Sequence, residues 1–454
     1  MVKEDIDSVG WFIQAAEEGI AEAQVRLGEI YCAGEGLARD WKKAFLWFSK
    51  AADQGFGEGK LHLGELYFHG HGVKKDYGRA FQLFKDVSEQ GLPQAQVRLA
   101  NMYQQGLGIP QGFEKAAYWF GQAAAGGIAE AQIALAEMYF EGTGVQKSYE
   151  KAVDLFRQAA EQGQARAQLR LGDMFLNGHH VALDLSEALK FYSQAAEQGN
   201  GHAQIRLAEM YYGGVGVPKD YEQAARLYRL AAEQGLSEAQ LELGVLYYNG
   251  EGLRRDFEEA YRWYVKAAEL GVVEAQIRLA ELYMAGEGVA QDVRQALQWW
   301  RRAADQGAPT AQFRLGDMYF SGVGVQKNYK QAFRWYAEAA QQGIVEAKMK
   351  LADMYAKGLG VNQDHKAAAS YYLQAAEEDL CLAQRQIGHM YANGIGVIRD
   401  DVEAHKWLSI AGTGSDRYSE SVRRERDNIA SRMTIDEIVR AQNLAQLWWE
   451  EHRS

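Results

Sequence analysis

Between Val273 and Ala308 the apolar residues fall into two stripes of helical spacing. Ala275, Leu279, Leu282 and Tyr283 mark one face of a first helix. Ala296, Trp299, Trp300, Ala303 and Ala304 mark a second. Gly286 and Gly288 separate them, and glycine readily takes the left-handed conformation that ends a helix. Asp292 is placed to cap the second helix, with Gln295 three residues on predicted to complete a capping box. Gly307 closes the unit. The pattern predicts two antiparallel helices joined by a glycine turn.

That unit recurs. From Ala21 it returns every 36 residues without an insertion, and eleven copies end at Asp416. Within a copy numbered from 1 to 36, position 14 is always Gly and position 24 always Ala. Position 16 is Gly except for His180, position 7 is Leu except for Ile387, and position 11 is Tyr except for Phe175. Small residues at positions 3, 8, 24, 31 and 32 allow close backbone approach, and an aromatic at 27 or 28 fills the remaining space. One helix pair cannot bury such faces alone, whereas stacked neighbours can, so the period predicts a single solenoid.

Composition narrows the function. A net charge of −12 argues against nucleic acid, which needs an excess of Lys and Arg on some face. Cys32 and Cys381 form no framework of spacings, so the reading places the chain in a reducing compartment, the cytoplasm. The opening "MVKEDIDSVGWFIQAAEEG" lacks the apolar core of a secretory signal, and no apolar run suits membrane insertion. A truncated start would reopen a periplasmic or secreted location.

The recurring "AEAQ-x-RLG-x-x-Y-x-x-G-x-GV-x-KDY-x-x-A-x-x-WY-x-x-AA-x-QG" resembles Sel1-like repeats, relatives of the tetratricopeptide repeat, across residues 21–416. The resemblance implies an all-α fold: a right-handed α-solenoid superhelix of antiparallel helix pairs, about eleven and a half repeats long. Residues 1–20 align with a second helix only and form an N-terminal half-repeat carrying Trp11 and Phe12. Residues 417–454 form C-terminal capping helices, like the end of bacterial Sel1 arrays. There Thr434 and Glu437 make a second capping box, and Ile435, Ile438, Val439, Leu444 and Trp448 are expected to seal the last repeat. The resemblance also implies a non-catalytic scaffold or adaptor in bacterial regulation or signalling, without cofactor or metal.

By analogy with tetratricopeptide arrays, the first helix of each pair lines the concave surface at positions 2, 5, 6, 9, 12 and 13. Position 12 supplies Phe68, Phe140, Tyr212, Tyr248, Met284 and Phe320, a row suited to a peptide or protein partner, or else to packing within the stack. Asn177 and Asn249 are irregular polar residues at position 13. Arg385 stands at position 5, apolar elsewhere, and marks the end of the groove or a site. Arg and acid residues at positions 6 and 9 (Arg26 with Glu29, Arg206 with Glu209) read as surface ion pairs linked between repeats, or as a charged rail.

Catalytic signals are weak. "GTGVQKS" (Gly142–Ser148) lacks the ending of a phosphate loop and follows a helix, and neither H-E-x-x-H nor G-x-S-x-G occurs. His62, His69 and His71 cluster in residues 57–92, where Gly59, Val87 and Ser88 also depart from the repeat, and His179 with His180 occupies a later turn. These histidines leave a hydrolase or metal-dependent enzyme as one alternative. The related cysteine-rich families linked to β-lactams carry a cysteine pair per repeat, which this chain lacks. A self-assembling protein, associating through the N-terminal half-repeat, is the other alternative.

Overall fold

The structure is a computed structural model that describes residues 2–178, 181–413 and 417–452. Its described residues form twenty-five α-helices and no strand. The expected turn at His179 and His180 lies outside the described residues.

The fourth repeat shows how one copy folds. Its helices are Ala129–Glu141 and Tyr149–Glu161. Gly142 ends the first in the left-handed region (φ 79°) and donates its N–H to the Met138 carbonyl. Gly144 is left-handed too (φ 72°), and a Cβ there would lie 2.4 Å from the backbone of Phe113 in the preceding repeat. The second glycine of the turn, here as at Gly72, Gly288 and Gly360, thus meets two demands at once, conformation and close approach. Ser148 caps the second helix by accepting from the Lys151 amide.

Elsewhere an aspartate usually serves as cap. Asp292 accepts from the Arg294 and Gln295 amides at 2.9 and 3.1 Å. The predicted capping box does not form there, because the Asp292 N–H donates to the Tyr283 carbonyl instead. Thr434 and Glu437 do complete theirs: the Thr434 N–H donates to Glu437 at 2.8 Å, and the Glu437 N–H donates back to Thr434 Oγ1.

The chain divides into two compact units, Met1–Ala231 and Ala232–Ser454. Within each, a first helix packs on its own second helix, and that second helix packs on the next first helix. Ala152, Ala188 and Leu171 are fully buried in the first unit, as are Ala332, Leu315 and Leu351 in the second. Truncating such a leucine costs about 2–5 kcal/mol.

A buried glutamine ladder joins consecutive repeats. Gln132, at position 4, donates Nε2 to the Ala124 carbonyl of the repeat before. Its Oε1 accepts from Gln162, at position 34 of its own repeat, at 2.9 Å. Gln168 with Gln198, Gln276 with Gln306 and Gln312 with Gln342 repeat the second bond. In the seventh copy Leu270 replaces that donor, and the buried Gln240 Oε1 has no hydrogen-bond partner among the described residues.

The last two helices, Arg417–Ala430 and Ile435–His452, pack on helix Asp401–Ala411. Trp448 is buried, with its ring centroid 6.2 Å from that of Trp407. The expected seal is narrower than the sequence pattern suggests. Ala441 and Ala445 join Trp448 in the contact, while Ile435 and Val439 remain 80% and 49% exposed. Those two occupy the opposite side of the helix from the buried stripe.

Candidate functional site

The row at position 12 is half-buried, and its packing is regular. Each ring meets the first residue of its own second helix. Centroid separations are 5.2 Å for Phe68 with Tyr77, Phe140 with Tyr149, Tyr212 with Tyr221 and Tyr248 with Phe257. Phe320 meets Tyr329 at 5.3 Å. Edge-on or tilted geometry suits the ring quadrupoles. The partner ring fixes each side chain without covering it. Met284 packs on the hydrophobic cluster around Trp300. These side chains therefore pack within their own repeats, as the core alternative expects, and keep part of their surface exposed.

Asn177 and Asn249 lie exposed at the ends of their helices. Asn177 Nδ2 donates to the Asp173 carbonyl at 2.8 Å. Tyr248 donates its hydroxyl to Glu287 of the following turn at 3.2 Å. Burial and that carboxylate raise its pKa. Arg385 has a different place. It forks onto Glu425 of the penultimate helix, with Nε to Oε2 at 3.0 Å and Nη2 to Oε1 at 2.5 Å. His389 Nε2 lies 3.1 Å from the same carboxylate. Partial burial pushes the Glu425 pKa up, but Arg385 and His389 outweigh it and hold the group below the usual range. Arg385 thus fastens the helix that follows the last repeat.

The charged residues at positions 6 and 9 pair both within and between helices. Arg26 and Glu29 pair at 2.7 Å, and Arg206 and Glu209 at 3.0 Å. Across repeats, Arg98 reaches Glu65, Arg170 approaches Glu137 at 3.7 Å, and Arg206 approaches Asp173 at 3.7 Å.

A cavity of about 400 Å³ opens where these features meet in the first unit. Phe140, Phe156, Met174 and Leu176 supply apolar lining. Glu137, Glu141, Arg170, Asp173, Asn177 and Arg206 supply its polar lining. It brings together two of the sequence candidates, Phe140 and Asn177, which lie 37 positions apart in the chain. The others sit on other repeats.

At position 28, where the sequence pattern calls only for an aromatic that fills space, the structure adds a hydrogen bond that the pattern does not predict. Tyr192, Tyr336 and Tyr372 donate their hydroxyls to Asp173, Asp317 and Asp353 at position 9. Burial and the aspartate raise the pKa of each tyrosine. The signal was present: in each of these three copies an Asp at position 9 accompanies a Tyr at position 28.

The histidines of the second copy are spread over several contacts. His62 stacks on Phe48 with centroids 4.8 Å apart and pairs with Glu29. His71 stacks on Trp41, and His69 lies beside Glu65. Among the described residues no group of three or more His, Cys, Asp or Glu is placed to hold a metal ion. Burial pushes the Cys32 thiol up to about 11, Glu29 adding to the rise and Arg39 opposing it. The thiol is therefore protonated at neutral pH. No helix among the described residues is long and apolar enough to cross a membrane.

Comparison with curated proteins gives no match. Among solved structures, c5321, a protective antigen present in uropathogenic Escherichia coli strains and displaying an SLR fold, is 36% identical. That match has a TM-score of 0.83 and covers 97% of this chain and 94% of that one. A Sel1 repeat protein from Oxalobacter formigenes is 35% identical with a TM-score of 0.55, covering 68% of this chain and 89% of that one. The family model described as Sel1 repeat matches eleven segments: residues 21–56, 58–92, 93–128, 129–164, 165–200, 201–236, 237–272, 273–307, 309–344, 345–380 and 381–416. With matches along most of its length, the chain belongs to the Sel1 repeat family.

Proposed function

We propose that this chain is a non-catalytic scaffold that holds a protein or peptide partner against the first helices of its repeats. Sel1 repeat proteins are generally protein-interaction scaffolds. The observation that carries the reading is the cavity at Phe140 and Asn177, where apolar side chains lie within a charged rim. Small numbers of polar groups around an apolar pocket orient a ligand, while the apolar area supplies affinity. Phe68, Tyr212, Tyr248, Met284 and Phe320 extend the same kind of surface to other repeats. A cytoplasmic setting suits the two free thiols, Cys32 and Cys381.

The test is retention of a stoichiometric partner from native cells by immobilised protein. Phe140→Ser is expected to abolish retention. Tyr118→Ser, on an exposed second-helix position, is expected to preserve it. Circular dichroism establishes that both variants are folded. Retention unchanged by Phe140→Ser would remove the proposed seat.

Trp11 favours a second reading, self-association. It is 61% exposed, and its ring lies edge-on to Phe12 at 5.0 Å. Light scattering of Trp11→Ser against the parent protein tests it. A concentration-dependent mass that vanishes in the variant supports association, and an unchanged mass opposes it.

A further inference from the structure

The chemistry of the cavity narrows the class of partner. Its apolar side chains, Phe140, Met174 and Leu176, suit one large aliphatic or aromatic side chain. Its carboxylates are not equivalent. Glu137 pairs with Arg166 at 2.8 Å. Asp173 accepts from Tyr192 at 2.8 Å and has Arg206 at 3.7 Å. Glu141 is exposed and has no ion-pair partner among the described residues; Thr143 Oγ1, at 3.5 Å, is the contact it makes. One carboxylate of the rim is thus left uncompensated.

Two further features set the same sign of charge at that end. Glu141 and Asn177 are the last residues of helices Ala129–Glu141 and Ala165–Asn177. Helix C-termini carry partial negative charge and favour a cation. Asn177 has also turned its amide donor back onto the Asp173 carbonyl. One of its two amide N–H donors is thus occupied, and its side-chain carbonyl oxygen keeps its capacity to accept. The other end differs. Arg170 and Arg206 lie at position 6, about 10 Å away along the helix at 1.5 Å per residue. The acids at that end, Glu137 and Asp173, already face Arg166, Arg170 and Arg206, so a cation gains less there than at Glu141, and this sets which way the occupant lies.

Resting on the scaffold reading above, we propose that this cavity selects a peptide segment of a protein partner in which a lysine or arginine stands two residues from a leucine, methionine or phenylalanine. In an extended segment such residues share one face, with a separation of about 6.6 Å. The apolar side chain enters between Phe140 and Leu176, and the cation meets Glu141 and the Asn177 carbonyl oxygen. A glutamate in place of the cation meets like charge.

The experiment uses the full chain and three fluorescein-labelled peptides with cores Leu-Ser-Lys, Leu-Ser-Glu and Ser-Ser-Lys, each flanked by Gly and Ser. Fluorescence anisotropy reads binding. The Leu-Ser-Lys peptide is expected to bind at least about tenfold more tightly than either of the others. Glu141→Lys is expected to invert the order of the two leucine peptides, and Phe140→Ser to remove binding of both. Equal or tighter binding of Leu-Ser-Glu that still depends on Phe140 would overturn the selectivity and leave the groove standing. Binding indifferent to Phe140, or none at all with these peptides, would overturn it as well. In that case the partner-retention experiment decides whether the scaffold reading survives.

Discussion

Two sets of first helices built on one template treat their charges differently. In helices Ala165–Asn177 and Gly201–Gly213, the arginine at position 6 reaches back to the acid of the preceding repeat, Arg170 to Glu137 and Arg206 to Asp173, Arg206 also pairing with Glu209 of its own helix. In helices Val273–Ala285 and Pro309–Ser321, Arg278 pairs with Glu274 and Glu281 of its own helix at 2.9 and 3.4 Å. With Glu281 so engaged, Arg314 makes no ion pair among the described residues. The openings differ accordingly. The first region has its cavity toward the helix C-termini, lined by Phe140 and Leu176. The second has a cavity of about 400 Å³ toward the helix N-termini, lined by Ile277, Phe313 and Arg314. A repeat fixes the backbone and the core; residues outside the repeating positions decide where the surface opens.

The comparison can be broken from the inside outward. Leu171→Ala and Leu351→Ala, both fully buried at position 7, are each expected to cost about 2–5 kcal/mol in urea unfolding. A loss well below that range in one alone would mean that the two units do not share one kind of core. Next come the tyrosines. Tyr192→Phe and Tyr336→Phe each remove a hydrogen bond to a carboxylate and are expected to cost about 1.5–3 kcal/mol. Tyr264→Phe, in a copy with Val245 at position 9, is expected to cost less. Equal losses at all three would deny the aspartates a role.

A smaller effect carries the opposite sign. Leu270→Gln restores the donor missing beside Gln240 Oε1 and is expected to stabilise by about 0.5–1.5 kcal/mol, read as a raised denaturation midpoint. The smallest concerns the rim. Arg206→Ala is expected to cost under about 1 kcal/mol and to lose that effect in high salt. Arg314→Ala, lacking an ion pair, is expected to cost less still.

Much of the fold was legible because each demand is written many times. Gly142 and Gly144 stand for a turn that recurs through the chain, so the helix pairs could be placed from spacing alone. Pairings that span two distant positions were harder to see. The Gln132–Gln162 bond and the Asp317–Tyr336 bond each depend on two residues far apart in a copy, neither conspicuous alone. Comparing copies pairwise would have exposed both. At the site, Phe140 and Asn177 could be named, but the cavity they share could not. It depends on how side chains from adjacent repeats pack, with Phe156 and Met174 lining it from positions that read as ordinary core. Arg385 stood out as the one charged residue at position 5; that its partner would be Glu425, 40 residues on, required the terminal helix to be placed.

The central claim is that the first helices carry the partner, and site-specific photocrosslinking tests it most directly. A photoreactive amino acid at Asn177 on the first-helix face is compared with one at Tyr118 on the second-helix face, in native cells. The account predicts one discrete adduct from position 177 and none from position 118. The same adduct from position 118, with none from 177, would contradict it.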